Sequence, residues 1–344
     1  MRARLLVIAV FVSASAVPGL IAYSTGMLPS AGLGSDDDPM SASPEFRVTS
    51  LSWPEKALGL ASTPQLVVWE QRSGDRAASG LWAYEVKKQF PFRLLGSGDL
   101  GGSSGFPSVA GATIAWAARP RGAKDGPLRI RAFNTDTRRR FTVSQHGSDP
   151  QGAGSTIVWI DTGGGRRAPR TTVAGRNTVT DERILIGADG VVREVAAWGH
   201  LVAWTTGPRD AAEVWATDRR RQTRYQLSSA GTGVAVDRRR VGWASRAGKN
   251  ESAIFVWNQL TRRSVELCRV SAHVRSLDLA GDLVVWAQDS GGGDIWAYDF
   301  NRRRAFAVCS DGAEQARPVL VGRTVFWADR RSGQWELYGR ALQP

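Results

Sequence analysis

A short apolar segment that ends in tryptophan recurs seven times along the chain at nearly constant spacing. The seven tryptophans are Trp69, Trp116, Trp159, Trp204, Trp243, Trp286 and Trp327. The first and the last lie 258 residues apart, so the six intervals average 43 residues. A period of this length is typical of stacked or radially repeated structural units. We therefore expect seven copies of one unit.

The sixth copy shows the unit most clearly, because turn residues separate four short apolar segments. These are residues 276–279, 283–286, 295–299 and 305–308. Four strands of this length make one blade of a β-propeller. The last copy lacks a fourth segment of its own, whereas residues 46–51 match the fourth-segment pattern and precede the first copy. The sequence thus predicts an all-β, seven-bladed β-propeller of four-stranded blades, closed by an N-terminal strand that pairs with the last blade.

The repeat resembles the TolB-like family of bacterial envelope β-propellers. Blades of that family combine a Val-Val-Trp strand with an Ile-Tyr-x-Tyr-Asp strand, and the best matches here are residues 286–299 and 327–338. The resemblance runs from about residue 45 to the C-terminus, except that residues 170–175 replace the aromatic third strand in the third blade. The matching motifs imply the fold but hardly any activity. We find no counterpart of the helical N-terminal domain of TolB in the sequence, so the resemblance does not imply a role in the Tol system.

Residues 1–23 have the features of a signal peptide or of a single-pass membrane anchor. Arg2 and Arg4 precede an apolar run from Leu5 to Val12, and residues 14–16 are small, as a signal peptidase requires. The apolar character continues to residue 22, which approaches the length of a spanning helix. Either interpretation places the rest of the chain outside the cytoplasm. The protein is therefore expected to be extracytoplasmic, either secreted or anchored by this segment.

Residues 24–44 are rich in Ser, Gly, Pro and Asp, and we predict a flexible linker there, followed by the propeller at residues 45–344.

The chain has two cysteines, Cys268 and Cys309, at equivalent places in blades 5 and 6. Equivalent outer strands of neighbouring blades diverge beyond the Cα separation that a disulfide tolerates. Two unpaired thiols are expected.

The net charge is +13, and 40 of the 45 basic residues are arginine. Many of them fall in turns between third and fourth strands or between first and second strands, which emerge on one face of a propeller. The predicted basic face consists of Lys87, Lys88, Arg138, Arg139, Arg140, Arg219, Arg220, Arg221, Arg238, Arg239, Arg262, Arg263, Arg302, Arg303 and Arg304. Such a face would attract anionic lipid or an anionic wall polymer, and nucleic acid is a less plausible partner for an exported protein. The alternative is that these arginines serve solubility alone.

The opposite face carries the longer and more varied loops between blades, where ligand contacts usually lie. Candidate binding residues near the mouth of the central channel are Gln145, His146, Asp149, His273, Arg275, Asp311, Glu314 and Arg317. Each is also a common type of solvated loop residue. The pattern favours a binding surface on this face without naming a ligand.

Catalytic signatures are scarce, because the three histidines lie in separate blades and no nucleophile elbow or phosphate-binding loop occurs. We expect no cofactor and no metal. The favoured function is a non-enzymatic binding or scaffolding module for a protein or glycan partner in the cell envelope. One alternative is a glycoside hydrolase or lyase that uses Asp149, Asp311 or Glu314 on polysaccharide. Another is the sensory ectodomain of a membrane complex.

Overall fold

The structure, a computed structural model, describes residues 43–50, 59–71, 79–100, 102–103, 107–120, 126–163, 171–187, 190–208, 212–290 and 293–343. All of them belong to the second of two compact units, Ala31–Pro344. The signal or anchor predicted for residues 1–23, and residues 24–42 of the predicted linker, lie outside this set. Within the described residues, no helix is both long enough and apolar enough to span a membrane.

The strands form seven antiparallel sheets, which confirms the predicted seven-bladed β-propeller. Strand β1 is Phe46–Ser50, and blade 1 contains β2 Leu60–Ser62, β3 Leu66–Gln71, β4 Gly80–Glu85 and β5 Phe90–Gly96. Helix α1, Ser97–Leu100, and the two-residue strand β6, Gly102–Ser103, lead to blade 2. Blade 2 contains β7 Ser108–Ala110, β8 Thr113–Arg119, β9 Arg129–Asn134 and β10 Arg140–Ser144.

The remaining blades follow the same order along the chain. Blade 3 contains β11 Ser148–Ala153, β12 Thr156–Asp161, β13 Thr172–Asn177 and β14 Arg183–Leu185. Blade 4 contains β15 Val192–Trp198, β16 Leu201–Thr206, β17 Glu213–Asp218 and β18 Thr223–Ser228. Blade 5 contains β19 Thr232–Asp237, β20 Arg240–Gly248, β21 Glu251–Asn258 and β22 Arg263–Val270. Blade 6 contains β23 Val274–Ala280, β24 Leu283–Gln288, β25 Asp294–Asp299 and β26 Arg304–Cys309, and blade 7 contains β27 Gln315–Val321, β28 Thr324–Asp329 and β29 Glu336–Ala341.

The first strands of the blades form the inner ring of the molecule. Each lies at one edge of its sheet and contacts the first strand of the next blade, from β2 through β7, β11, β15, β19, β23 and β27 back to β2. This closed ring surrounds the central channel that propellers have. Residues on the first strands are therefore the ones that reach the channel.

Strand β1 completes blade 7, which confirms the predicted closure by an N-terminal strand. It pairs antiparallel with β29, with Phe46 opposite Gly339 and Ser50 opposite Glu336. A Cβ atom at residue 339 would lie 2.6 Å from the Phe46 ring, so only glycine leaves room for that ring. Phe46 packs edge-on against Phe326 with ring centroids 5.9 Å apart. The β1 edge contributes apolar packing as well as backbone hydrogen bonds.

All seven repeat tryptophans are at most 2% exposed. Each packs between its own blade and the preceding one. Trp116 clusters with Val68 and Leu81 of blade 1, and Trp69 clusters with Phe326 of blade 7. An aromatic side chain buries a large apolar area in the wedge between twisted sheets. Each repeat unit therefore contributes one tryptophan to one hydrophobic core between two neighbouring blades.

The turns between third and fourth strands share one mechanism in five blades. The last residue of the third strand is Asn or Asp, and its side chain accepts hydrogen bonds from backbone amides two and three residues later. Asp299, for example, accepts from Asn301 at 2.8 Å and from Arg302 at 3.0 Å. The five residues are Asn134, Asn177, Asp218, Asn258 and Asp299. In blades 2, 4, 5 and 6 these capped turns hold the basic residues that follow them in a fixed backbone conformation.

Candidate functional site

Most of the predicted basic residues are exposed on the face formed by these turns and by the turns between first and second strands. The side chains of nine of them make no ion pair, hydrogen bond or ring contact with any part of the chain that the structure describes. We call these nine residues the arginine face: Lys87, Arg138, Arg139, Arg220, Arg238, Arg239, Arg262, Arg263 and Arg303. Their charges are therefore available to a partner.

The other predicted basic residues differ from this set. Lys88, Arg140, Arg221 and Arg302 form ion pairs with carboxylates, and Arg304 also has an interaction within the chain. Arg219 is half-buried and donates to the Gly199 carbonyl at 2.9 Å and to the Thr156 hydroxyl, which joins blade 4 to blade 3. Burial lowers the pKa of this guanidinium. Arg219 therefore has a structural role.

The arginine face consists of two arcs, one over blades 1 and 2 and one over blades 4 to 6, and is not a full ring. In blade 3 the equivalent turn carries Asp181 and Glu182, both exposed, and Arg176 pairs with Asp181 at 2.5 Å. Blade 7 has no turn at this place, because its outermost strand is β1 from the other end of the described chain. A partner of this face meets positive charge from blades 1, 2, 4, 5 and 6.

A second group of side chains meets at the channel. On each first strand, one residue is paired with the repeat tryptophan of the second strand. The residue that precedes it in the sequence occupies the same place in every blade. In blades 3 to 7 this channel ring consists of Asp149, Glu194, Gly233, Ser276 and Arg317. The backbones of three members are alike, with φ of 50° at Asp149, 61° at Gly233 and 56° at Arg317. In blades 3, 5 and 7 the register of the strand pair shifts at this residue, which marks a β-bulge there.

The carboxyl of Asp149 in the channel ring has a raised pKa. Burial and the nearby Glu194 carboxylate raise its pKa to about 6, while a hydrogen bond from Gln151 and the charge of Arg317 oppose the rise. Blades 3 and 7 are not neighbours, so the interaction between Asp149 and Arg317 crosses the channel. The Ser276 hydroxyl is buried and makes no hydrogen bond with the described residues. The ring therefore contains a carboxyl with a pKa of about 6, a second carboxyl, a guanidinium and a hydroxyl.

The structure distributes the predicted channel-mouth residues among several places. Asp149 and Arg317 lie in the channel ring. Arg275 pairs with Asp289, and the Glu314 carboxylate lies 3.7 Å from both Arg275 and Arg330, which links blades 6 and 7. Gln145 is exposed, His146 exchanges hydrogen bonds with Ser144, and His273 lies 3.4 Å from Arg246.

Asp311 belongs to a different group, which surrounds Arg331 beside the closing strand. The Arg331 guanidinium contacts the Asp329 carboxylate at 2.5 Å, Asp311 at 2.8 Å, Glu45 at 2.6 Å and the Cys309 sulfur at 3.2 Å. We call these five residues the closure cluster. Cys309, Asp311 and Asp329 are the one set of possible metal ligands found in the described residues. Since a guanidinium already contacts all three, the set is accounted for as an ion-pair network that holds Glu45, next to β1, against blades 6 and 7.

Both cysteines are free thiols, with Cys309 buried in this cluster and Cys268 half-buried on β22. Burial raises the pKa of the Cys268 thiol to about 12 and also raises that of Cys309. Neither thiol forms a reactive thiolate near neutral pH.

The sequence reading missed Glu194 and Ser276. Both are found by aligning the first strands on the residue that faces the repeat tryptophan, and this alignment requires the strand pairing of the structure. Their neighbours in the sequence carry no motif that marks them.

No protein family model matches this chain, and no curated protein matches it. Solved structures do. TolB from Acinetobacter baumannii aligns with a TM-score of 0.50 and 16% identity over 73% of this chain, which spans 65% of the TolB chain. The β-propeller domain of the Trilobed protease from Pyrococcus furiosus gives 0.60 and 9% identity over 87% of this chain and 97% of that one. An oligogalacturonate lyase from Vibrio parahaemolyticus gives 0.60 and 12% identity over 91% and 96%.

At these identities the likeness is one of fold. It confirms that the chain is a β-propeller of the general kind that includes TolB, while the specific blade motifs of the TolB-like family stay a prediction. TolB, a protease domain and a lyase share this fold, so the function has to be argued from the site.

Proposed function

We propose that the protein is a non-enzymatic, extracytoplasmic β-propeller that binds an anionic partner of the cell envelope through the arginine face. The observation that supports this proposal is the set of nine exposed basic side chains on one face that have no partner within the described chain. Charges of one sign on one face create a local potential that concentrates and orients oppositely charged partners.

The breadth of the arginine face favours an extended partner over a small molecule. The nine side chains come from five blades, and they lie in turns or, for Arg263, at the first residue of the strand after the turn. An anionic glycan polymer, or the surface of an anionic protein or membrane, can contact several blades at once. The capped turns reduce the backbone entropy that binding would otherwise cost, because their conformation is already fixed.

The envelope location rests on the N-terminal pattern of basic, apolar and small residues at positions 1–16. An exported protein is exposed to the anionic lipids and anionic polysaccharides of the envelope, which the arginine face can contact. The proposal therefore combines the export prediction with the charge distribution of the propeller.

The experiment measures retention on polygalacturonate and on phosphatidylglycerol vesicles at low and high salt, with phosphatidylcholine vesicles as reference. A triple variant removes Arg238, Arg239 and Arg263 by substitution with Ser. The matched control removes Arg246, Lys249 and Arg269, which belong to the same blade but lie towards its opposite end. At about 1 kcal/mol per basic residue near an anionic surface, the first variant should lose at least tenfold in affinity at low salt and the control little. Equal losses in both variants would refute the assignment to this face.

The channel ring supports a second candidate, an enzyme that cleaves polysaccharide. A carboxyl with a pKa of about 6, beside a second carboxylate, is suited to general acid–base work near neutral pH. In this candidate Asp149 exchanges the proton, and Arg317 holds an anionic sugar across the channel. Incubation with polygalacturonate and with neutral glucans, followed by assays for reducing ends and for unsaturated products, tests it. Activity that Asp149→Asn abolishes would support the enzyme, and no product with any polymer would leave binding as the function.

A further inference from the structure

A groove beside blade 2 contains an unusual concentration of arginine. Its volume is about 450 Å³, within the range of small-ligand sites. Arg119, Arg129, Arg131 and Arg140 line it, together with Asp99 of helix α1 and Thr142 of β10. We propose that this groove binds a small ligand that carries two or more carboxylate or phosphate groups.

Comparison with the other blades identifies Arg131 as an exception to the repeat. The third-strand residue opposite the repeat tryptophan is aromatic in five blades: Trp82, Trp215, Phe255, Trp296 and Tyr338. It is Ala174 in blade 3 and Arg131 in blade 2. Packing between blades explains an aromatic or a small residue at this place. It does not explain a guanidinium.

Arg129 is a second exception on the same face of β9. The equivalent residues are Gly80, Thr172, Glu213, Ala253, Asp294 and Glu336, of which three are acidic and none is basic. Side chains two residues apart on a strand point to the same side and lie about 7 Å apart. Blade 2 thus places two guanidiniums side by side where the repeat supplies neither.

Two of the four guanidiniums in the groove have no partner among the residues that the structure describes. Asp99 pairs with Arg140 at 2.6 Å. The side chains of Arg129 and Arg131 make no ion pair or hydrogen bond within that part of the chain. Arg131 lies opposite Thr142 on β10, so a hydroxyl donor stands beside the two guanidiniums. Like charges so close together are unfavourable unless an anion lies between them.

The donor geometry indicates the class of ligand. A guanidinium presents parallel N–H groups that match the two oxygens of a carboxylate or phosphate, and such charge-assisted pairs are among the stronger hydrogen bonds in proteins. Several guanidiniums around one groove can hold two or more anionic groups of one small molecule. This site differs from the arginine face, because it is concave and its four arginines belong to strands β8, β9 and β10.

Titration calorimetry of the full chain with pyrophosphate and with citrate tests the proposal, with sodium chloride of equal ionic strength in the reference. Arg131→Trp installs the residue that blades 1, 4 and 6 carry at this place, so it is compatible with the fold. Arg129→Glu installs the residue of blades 4 and 7 and provides a second, independent change. Arg139→Ser removes an equal charge from the nearby arginine face and serves as control.

We expect saturable binding of at least one probe, a dissociation constant raised tenfold or more by Arg131→Trp and by Arg129→Glu, and a change of less than about twofold for Arg139→Ser. The tighter probe shows whether phosphate or carboxylate is preferred. Absence of binding of both probes by the native protein would overturn the proposal, and so would unchanged affinity in a folded Arg131→Trp or Arg129→Glu variant. Failure here leaves the proposed function standing, since that function is tested on other residues and with extended polymers.

Discussion

Replacement of Arg331 by Met should destabilise the closure of the propeller strongly and with a characteristic pH dependence. The Arg331 side chain is 28% exposed and pairs with Asp329, whose side chain is fully buried. Loss of one partner of a buried ion pair leaves an uncompensated charge and costs about 3–5 kcal/mol. Trp327 still donates to Asp329 at 3.0 Å in the variant, which favours the lower end of that range. Loss of the partly exposed contact to Glu45 adds up to about 1 kcal/mol.

We therefore expect the free energy of unfolding to fall by about 3 kcal/mol near pH 7. Burial alone would raise the pKa of Asp329, but hydrogen bonds from Arg331 and Trp327 outweigh it and hold the pKa below its usual value. In the native protein this carboxylate contributes stability above its unfolded pKa and loses it as the pH falls through the lower folded pKa. In the variant the sign reverses, because a buried carboxylate without its guanidinium gains stability when it is protonated.

Urea unfolding followed by tryptophan fluorescence measures this difference at several pH values between about 4 and 7. The gap between the native protein and Arg331→Met should shrink by more than half as the pH falls. Arg330→Met is the control, since Arg330 lies 3.7 Å from Glu314 with both side chains well exposed, and its loss should cost less than about 1 kcal/mol. Equal losses in the two variants, or a gap that does not change with pH, would refute the reasoning.

Three further predictions concern the repeat itself. Arg262→Gly should raise the free energy of unfolding by about 0.5–1 kcal/mol, because Arg262 has φ of 55°, a left-handed conformation that glycine adopts more readily. Arg263→Gly should lower it by a similar amount, because Arg263 lies in strand β22. Urea unfolding of the two variants measures the difference. Trp286→Phe should cost about 1 kcal/mol more than Trp204→Phe by the same assay, because Trp286 donates to Gln288 at 2.9 Å while the buried Trp204 indole N–H has no partner among the described residues. Asp149→Asn should flatten the fall in stability between about pH 4 and pH 6, since a carboxyl with a raised folded pKa of about 6 loses its stabilising proton over that window, and a series of thermal melts across this pH range measures the slope.

The sequence predicts the blades because one large residue serves one purpose in every copy. Each repeat tryptophan fills the wedge between two sheets, so its spacing reports the length of the unit directly. The closing strand was also predictable, since residues 46–50 carry the fourth-strand pattern and blade 7 lacks a fourth strand from its own segment. These patterns involve residues close together in the sequence, and they are easy to recognise because the repeat contains several copies of each.

The site was less accessible to sequence reasoning, because its residues meet through strand register and not through motifs. The interaction of Asp149 with Glu194 and Arg317 depends on bulges in β11 and β27 that re-aim side chains towards the channel. Asp311 lies in a loop between blades, like the other candidates for the channel mouth. It nevertheless contacts Arg331, which also pairs with Glu45 from the far end of the described chain. Arg131 becomes conspicuous once the pairing shows which residue faces each tryptophan.

The seventh blade has a topological consequence for how the molecule is assembled. Six blades each come from one continuous stretch, but Phe46 and Gly339, which pair in the seventh, are separated by almost the whole described chain. Closing so long a loop is slow compared with forming a local hairpin, so this seam should be the last join to form. Until it does, the outer edge of β29 presents unpaired backbone groups that β1 of another molecule satisfies equally well. At high concentration the same seam would then exchange β1 between two copies, and a strand-swapped dimer is the misassembled form that this architecture favours.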